Sequence, residues 1–303
     1  MGYLAVVFAS VFNAAFSVGG ECYNRRVKQP NPFCYTLLIS VVVFFFFLAY
    51  GKFTFAYDSL TFLTGGIYGI CYCLSVAFLL LALRTGYVSL VSLIMAYSLL
   101  IPTLFGIFFY RSYPGYLFYI GLALLIVAVF LIGKKKAPPA ELKEPQGERV
   151  IEEPKKKKGF LWLVFALLAM FCNGAASILQ TFQQTSSEGL YRSEFMMVAM
   201  IVVFAFSGVS VFISLKKGKE TVALNFKRGW WIALLCGVAN ATLNLLVMIS
   251  VKLLAAQIVF STICGVSLVL TFLASLFAFH EKLNKWQLAG FFVGLLSTIV
   301  MNL

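Results

Sequence analysis

Long, nearly uninterrupted apolar runs alternate with short polar turns along the whole chain. A helix needs roughly 20 apolar residues to cross a bilayer core of about 30 Å. A β-barrel would show alternating strands of about ten residues, whereas these runs are continuous. The pattern predicts ten transmembrane helices, at about residues 3–21, 33–50, 60–82, 86–109, 115–133, 159–182, 194–215, 229–250, 255–279 and 286–302.

The composition agrees with a membrane protein. Of the 303 residues, 61% are hydrophobic and only 12% are charged, and the mean hydropathy is +0.94. A soluble domain cannot hide that much apolar surface, whereas in lipid each helix satisfies its own backbone hydrogen bonds. The predicted fold class is therefore all-α, a polytopic membrane bundle of ten transmembrane helices.

One long polar segment, residues 134–158, divides these helices into two groups of five. It combines prolines with lysine runs and acidic residues, a composition typical of a solvated linker. The predicted organisation is a first five-helix repeat at 1–133, the charged linker, and a second five-helix repeat at 159–303.

The basic residues are divided unevenly between the two sides of the predicted membrane. Twenty Lys and Arg fall in alternate gaps that include the linker, and four fall on the other side: Lys52, Arg111, Arg192 and Lys252. Because basic loops stay cytoplasmic, the linker is predicted to be cytoplasmic and both termini outside a plasma or inner membrane. The basic clusters sit at helix ends, so no nucleic acid is expected as a partner.

The two groups of helices repeat each other in sequence. A shift of 160 residues lays "ASVFNAAFS" (9–17) over "AMFCNGAAS" (169–177) without a gap, and it matches Asn13 with Asn173 and Ser17 with Ser177. Shifts of 168 and 169 place Gly69 on Gly237 and Gly121 on Gly290. Each group has an odd number of helices, so the copies must enter the membrane from opposite sides. The prediction is an inverted repeat, with sites near the midplane where the repeats meet.

Polar side chains recur at helical spacing inside six of the predicted helices. Such spacing puts each set on one helix face. A carboxamide facing hydrocarbon costs several kcal/mol, so these faces must meet another helix or a hydrated cavity. Hydrogen bonding between helices is the alternative interpretation for each residue. The candidate substrate-binding residues are Asn13, Ser17, Glu21, Tyr68, Tyr72, Tyr97, Asn173, Ser177, Gln180, Asn240, Asn244, Gln257 and Ser261.

Ionisable groups suited to catalysis are scarce. The chain has one histidine, His280, and one aspartate, Asp58, both in predicted turns, and it has no clustered carboxylates. Neither a catalytic triad nor a metal site can be assembled from these, so we expect no enzyme activity, metal or cofactor. Glu21 is the one carboxylate expected to reach a cavity, where it attracts a cation or carries a proton; alternatively it pairs with Arg25.

Two short motifs resemble the EamA-like branch of the drug/metabolite transporter superfamily. The stretch "HEKLNKWQLAG" (280–290) is similar to that family's G-E-[KR]-L-x-x-x-Q-x-x-G turn, with His280 in place of the glycine. The stretch "LALRTGYVSLVSLI" (81–94) resembles its turn between helices 3 and 4. The resemblance implies ten helices, with a cavity lined by the six that carry polar stripes. It also implies cytoplasmic termini, opposite to the orientation that the charges predict.

Two functions are expected from this combination. The first is a secondary transporter that moves a small polar or amphipathic metabolite by alternating access, the substrate being an amino acid, amine, nucleoside or similar molecule. The second is a non-transporting membrane sensor or a lipid translocator on the same fold. Membrane lipids surround the bundle in either case, and the expected state is a monomer or homodimer.

Overall fold

The computed structural model describes residues 2–27, 31–85, 94–95, 97–109, 115–133, 161–217, 219–279 and 285–301. Within these ranges the chain is helical between short turns, and no residue lies in a strand. The helices are α1 Gly2–Arg26, α2 Pro32–Tyr50, α3 Ser59–Thr85, α4 Leu100–Phe109, α5 Tyr116–Gly133, α6 Leu161–Ser186, α7 Arg192–Lys217, α8 Lys219–Leu253, α9 Ala256–Phe279 and α10 Lys285–Met301. A 3-10 helix, Tyr97–Leu99, leads into α4.

Six of these helices, α1, α2, α3, α6, α7 and α8, are long and apolar enough to cross a membrane. The other four carry shorter apolar stretches. The all-helical class and the membrane-like character of the bundle are therefore confirmed, whereas ten crossings stay a prediction. The predicted linker at 134–158 lies outside the described residues.

Helix α8 begins earlier than the apolar pattern predicts. The expected start was residue 229, and the helix begins at Lys219. Its first turns mix charged residues with apolar ones, and this lowers the hydropathy without breaking the helix. Val222 packs there with Cys34 and Val211 in a small apolar cluster between α2, α7 and α8.

Helices from the two halves pack against each other in a repeated pattern. The pairs include α1 with α8, α6 with α3, α2 with α8, α7 with α3, α1 with α9, α6 with α4, α2 with α7, and α5 with α10. Exchanging α1–α5 for α6–α10 turns this set of pairs into itself. The choice of packing partners is thus symmetric between the two halves, whereas an inverted repeat stays a prediction.

Two glycines allow close contact between helices of different halves. A Cβ added to Gly69 of α3 would lie 2.7 Å from the carbonyl oxygen of Ala199 and 2.8 Å from Val202 of α7. A Cβ added to Gly237 of α8 would lie 2.6 Å from Val42 of α2. Gly237 follows Gly69 by 168 residues and Val202 follows Val42 by 160, the same shifts that align the two halves in sequence.

Three connections meet at one end of the bundle, which we name the Lys252 end: residues 51–58, residues 187–191 and the α8–α9 turn at 254–255. Lys252 Nζ donates a hydrogen bond to the carbonyl oxygen of Glu188. The amide nitrogen of Ala56 donates to Glu194 Oε1 at 3.3 Å. These contacts tie the ends of α2, α6, α7 and α8 together.

Candidate functional site

Four polar side chains from α3, α6 and α8 form one hydrogen-bonded group, named here the amide cluster: Tyr68, Gln180, Asn240 and Asn244. Gln180 Nε2 donates to Asn244 Oδ1 at 3.2 Å, and Asn244 Nδ2 donates to Asn240 Oδ1 at 3.1 Å. The Tyr68 hydroxyl donates to Asn244 Oδ1 at 3.4 Å. None of the four is more than 8% exposed. The structure thus brings together four of the predicted site residues.

Backbone carbonyls set the orientation of these amides. Asn244 Nδ2 also donates to the Asn240 carbonyl oxygen at 2.9 Å, one turn earlier on α8. Gln180 Nε2 also approaches the Asn244 carbonyl oxygen at 3.4 Å. Each nitrogen therefore faces a group that can only accept, so the amide dipoles run in one direction through the cluster.

Aromatic rings lie beside the amides. The rings of Tyr68 and Tyr72, one turn apart on α3, are parallel within 10°, with centroids 6.4 Å apart. The buried ring of Phe195 on α7 meets Tyr68 nearly edge-on at 5.2 Å. Tyr72 is half-buried, so it offers the more accessible ring face at this site.

A second buried polar group lies one turn further along α6, toward the Lys252 end. Gln183 Nε2 donates to the hydroxyls of Thr61 and Ser187, both at 3.0 Å. Gln184 Nε2 donates to Gln183 Oε1. Both glutamines are fully buried, and Gln184 Oε1 has no hydrogen-bond partner among the described residues.

Asp58 stands at the start of α3 and connects this group to the helix terminus. Its Oδ2 accepts hydrogen bonds from the Thr61 hydroxyl at 2.5 Å and from the Thr61 amide at 2.8 Å. These two bonds hold the pKa of Asp58 below its usual value because they stabilise the charged carboxylate. Asp58 therefore acts as an N-cap residue.

The two predicted asparagines form separate bridges rather than a single site. Asn13 Nδ2 donates to Ser267 Oγ of α9 at 3.0 Å, and Asn173 Nδ2 donates to Ser98 Oγ ahead of α4 at 2.8 Å. Ser267 follows Ser98 by 169 residues, so the two bonds correspond under the repeat. Both asparagines are half-buried. Hydrogen bonding between helices accounts for one donor of each side chain.

Three predicted hydroxyls bond to their own helices and do not join the amide cluster. Ser17 Oγ donates to the Asn13 carbonyl oxygen, Ser177 Oγ to that of Asn173, and Ser261 Oγ to that of Gln257. Each carbonyl lies one turn earlier on the same helix. Such local bonds satisfy a hydroxyl inside an apolar helix without any partner helix.

The remaining predicted residues lie elsewhere. The Tyr97 hydroxyl points to the Ile126 carbonyl oxygen of α5 at 3.5 Å, so its hydrogen bond is with α5 and not with the amide cluster. Gln257 is buried beside Gly106 of α4, and its Oε1 has no hydrogen-bond partner in the described part of the chain. The side chain of Glu21 lies outside the described part.

Sequence reasoning missed one buried carboxylate. Glu194 is only 7% exposed and accepts hydrogen bonds from Ser193 Oγ at 2.8 Å and from the Ala56 amide. Glu194 lies at the Lys252 end and not in the amide cluster, so the expectation that Glu21 is the one carboxylate to reach a cavity stays a prediction. The position of Glu194 in the first turn of α7 could have indicated its role, because the helix dipole favours an acidic residue there.

Comparison with known proteins identifies the fold and nothing finer. The sequence matches no family model and no curated protein. A solved structure described only as "Crystal structure of protein" superposes with a TM-score of 0.69 at 13% identity, covering 100% of this chain and 98% of that one. At this identity the likeness shows a shared fold alone. The chain is thus a helical, membrane-like bundle whose whole length adopts a fold already seen in another protein.

Proposed function

We propose that the protein is a secondary transporter of the EamA-like type, which moves a small polar or amphipathic metabolite across the membrane by alternating access. One observation carries the proposal. In a chain of very high hydropathy, three carboxamides and a tyrosine from α3, α6 and α8 converge in the interior. Buried amides are costly in such a bundle, so their convergence favours a binding role.

The repeated packing of the two halves supports alternating access. The corresponding pairs Gly69–Val202 and Gly237–Val42 place each half against the other by the same kind of contact. If the halves form an inverted repeat, exchanging their tilts gives outward-open and inward-open states of similar energy. Transport then needs no covalent chemistry, only a site that both states can reach.

The amide cluster is suited to reversible binding. Its internal hydrogen bonds join neutral groups at 3.1 to 3.4 Å, and a solute can replace them one for one. Each net exchange changes the free energy by about 1 kcal/mol or less, because bonds are lost as well as formed. A transporter needs this balance, since a solute held too strongly is not released on the other side.

A lipid translocator on the same fold is the second candidate, and an apolar groove favours it. The groove lies between α2 and α7, has a volume of about 220 Å³ and is lined by Ser40, Val41, Phe44, Phe45, Met200, Ile201 and Phe204. Phe45 and Ile201 are more than half exposed, so the groove opens on the outer surface of the bundle. An acyl chain fits such a lining.

Flux in proteoliposomes tests the proposal. We expect protein-dependent counterflow of at least one solute from a panel of amino acids, amines, nucleosides and sugars. Gln180→Leu should reduce that flux at least tenfold. Thr242→Val is the matched control, because Thr242 lies on α8 between the cluster asparagines. Within the described part of the chain, its hydroxyl bonds only to the Val238 carbonyl oxygen of its own helix. Exchange of fluorescent lipids without solute flux would instead establish the translocator, and binding without either flux would establish a sensor.

A further inference from the structure

Among the described residues, two atoms of the amide cluster have no hydrogen-bond partner, one an acceptor and one a donor. Gln180 Oε1 and Asn240 Nδ2 take no part in the bonds that hold the cluster together. The backbone carbonyls that orient Gln180 and Asn244 also determine which atoms are left over. The site therefore presents an amide oxygen at one end and an amide N–H₂ at the other, which together match a solute edge bearing both a donor and an acceptor.

A further acceptor without a partner lies on the same helix as Gln180. Gln184 lies one turn beyond Gln180 on α6, is fully buried, and leaves its Oε1 without a partner among the described residues. A buried acceptor without a donor is unfavourable, because it has lost its hydrogen bonds to water. A solute N–H or O–H that reaches it recovers that free energy, so the site favours solutes with more than one donor.

The members of the cluster carry no charge. Where the structure describes charged side chains with hydrogen-bond partners, these lie toward the Lys252 end, as with Asp58, Glu194 and Lys252. Among the described side chains, a solute with net charge would meet no opposite charge at the cluster, and it would lose its favourable interaction with water there. A neutral solute avoids that cost and still uses every polar atom.

Tyr72 adds a preference for a flat ring. Its half-buried ring lies parallel to that of Tyr68, whose hydroxyl already bonds within the cluster. An aromatic solute that places its polar edge on the amides brings its ring toward the face or edge of Tyr72. Such ring contacts stabilise a complex by more than the burial of their apolar area alone.

We propose that the amide cluster binds an uncharged, flat heterocyclic solute with a carboxamide-like edge, as found in nucleobases and aromatic amides. This class is narrower than the panel of metabolites named above, and it excludes free amines and carboxylates. The inference rests on the proposed transport function for its physiological meaning, although the binding site can be tested without transport.

Binding to the full chain in detergent tests the solute class. The probes are nicotinamide and uracil, which are neutral, together with nicotinate and 3-(aminomethyl)pyridine, which share the pyridine ring but carry opposite charges. We expect the neutral probes to raise the melting temperature and to bind at least tenfold more tightly than either charged analogue. Equal or tighter binding of a charged analogue, or no binding by the neutral probes, overturns the class.

Two variants locate the site. Gln180→Glu places a carboxylate in the cluster, so binding of nicotinamide should fall at least tenfold and binding of 3-(aminomethyl)pyridine should rise. Thr242→Val should leave all four affinities unchanged. If Gln180→Glu does not fold, Asn240→Ala removes the donor end and should weaken uracil binding by a similar factor. Unchanged affinities in the folded variants overturn the location.

Counterflow with the same probes keeps the two proposals separate. Selective binding of neutral probes without protein-dependent flux supports the solute class and overturns transport. If charged solutes are transported and neutral ones are not, the result supports transport and overturns the proposed solute class. Uptake of radiolabelled uracil or nicotinamide, reduced in Gln180→Leu and normal in Thr242→Val, supports both.

Discussion

Asn173 of α6 donates a hydrogen bond of 2.8 Å to the hydroxyl of Ser98, just ahead of α4. The same bond recurs in the other half, where Asn13 of α1 donates to Ser267 of α9 at 3.0 Å. In each bond the asparagine lies four residues before a serine on its own helix, and its partner is a serine of the other half. These two equivalent contacts agree with the repeat that the sequence predicts.

These bridges should contribute modestly to stability and strongly to flux. A double-mutant cycle with Asn173→Leu and Ser98→Ala should give a coupling free energy of about 0.6 kcal/mol, the average for hydrogen bonds between membrane helices. The cycle with Asn13→Leu and Ser267→Ala should give a similar value by reversible unfolding in bicelles.

We also expect each Asn→Leu variant to fold and to lose most counterflow activity. Unchanged flux in both would restrict the asparagines to helix packing.

Gly69 should resist enlargement, whereas its neighbour Gly66 should not. Gly69→Ala sets a methyl group against the Ala199 carbonyl oxygen at 2.7 Å, so α3 and α7 must separate, at a cost of about 1–3 kcal/mol. Gly66 has nothing within 4 Å of an added Cβ, and alanine there should be neutral or stabilise by up to about 1 kcal/mol. Thermal unfolding of both variants checks this, and equal melting temperatures would contradict the close α3–α7 contact.

Acidification should remove the contribution of the α3 N-cap. The pKa of Asp58 is lowered in the folded protein by its bonds to Thr61, whereas an unfolded aspartate titrates near pH 3.9. The stabilisation is therefore present above that value and is lost as the pH falls through the lower folded pKa. The melting temperature of the wild type should drop more steeply between about pH 5 and pH 3 than that of Asp58→Asn. Parallel curves would show that the carboxylate contributes nothing.

A reporter that is active only in the cytoplasm should be inactive when it is fused to the C-terminus. The same reporter should be active when it is inserted in residues 134–158. The reason is the strong excess of Lys and Arg in the gaps on the linker's side. The structure places Lys252, one of the few basic residues of the other side, at the same end as residues 51–58 and 187–191. A cytoplasmic C-terminus would support the orientation implied by the EamA-like resemblance.

Much of the candidate site was accessible from spacing along the chain. Asn240 and Asn244 are one turn apart, so the pattern predicts that they share a face, and the structure shows them bonded to each other. Spacing could not show which face of α6 meets them, and Gln180 joins α8 because of how α6 and α8 pack. Tyr97 shows the converse case. It was predicted to line the site, but its hydroxyl donates a hydrogen bond to the Ile126 carbonyl oxygen of α5.

The linker and the first five residues of the motif at 280–290 lie outside the described residues, and the rest of the motif begins α10. The contacts that do bear on the repeat are small ones. Gly69 and Gly237 were aligned by sequence, yet their shared property, contact with Val202 and Val42, could be recognised only in three dimensions. The shift that aligns the two halves of the sequence carries no information about which helix surfaces are in contact.

The sequence by itself determined that this chain is a bundle of apolar helices, because a continuous run of hydrophobic residues can satisfy its backbone in lipid only as a helix. It also determined which positions share a helix face, since that follows from 3.6 residues per turn. The tertiary structure decided which faces meet: that Gln180 reaches Asn244, that Asn13 and Asn173 bind separate serines, and that Glu194 is buried. Partners across helices depend on packing between segments far apart in the chain, and local periodicity does not encode that packing.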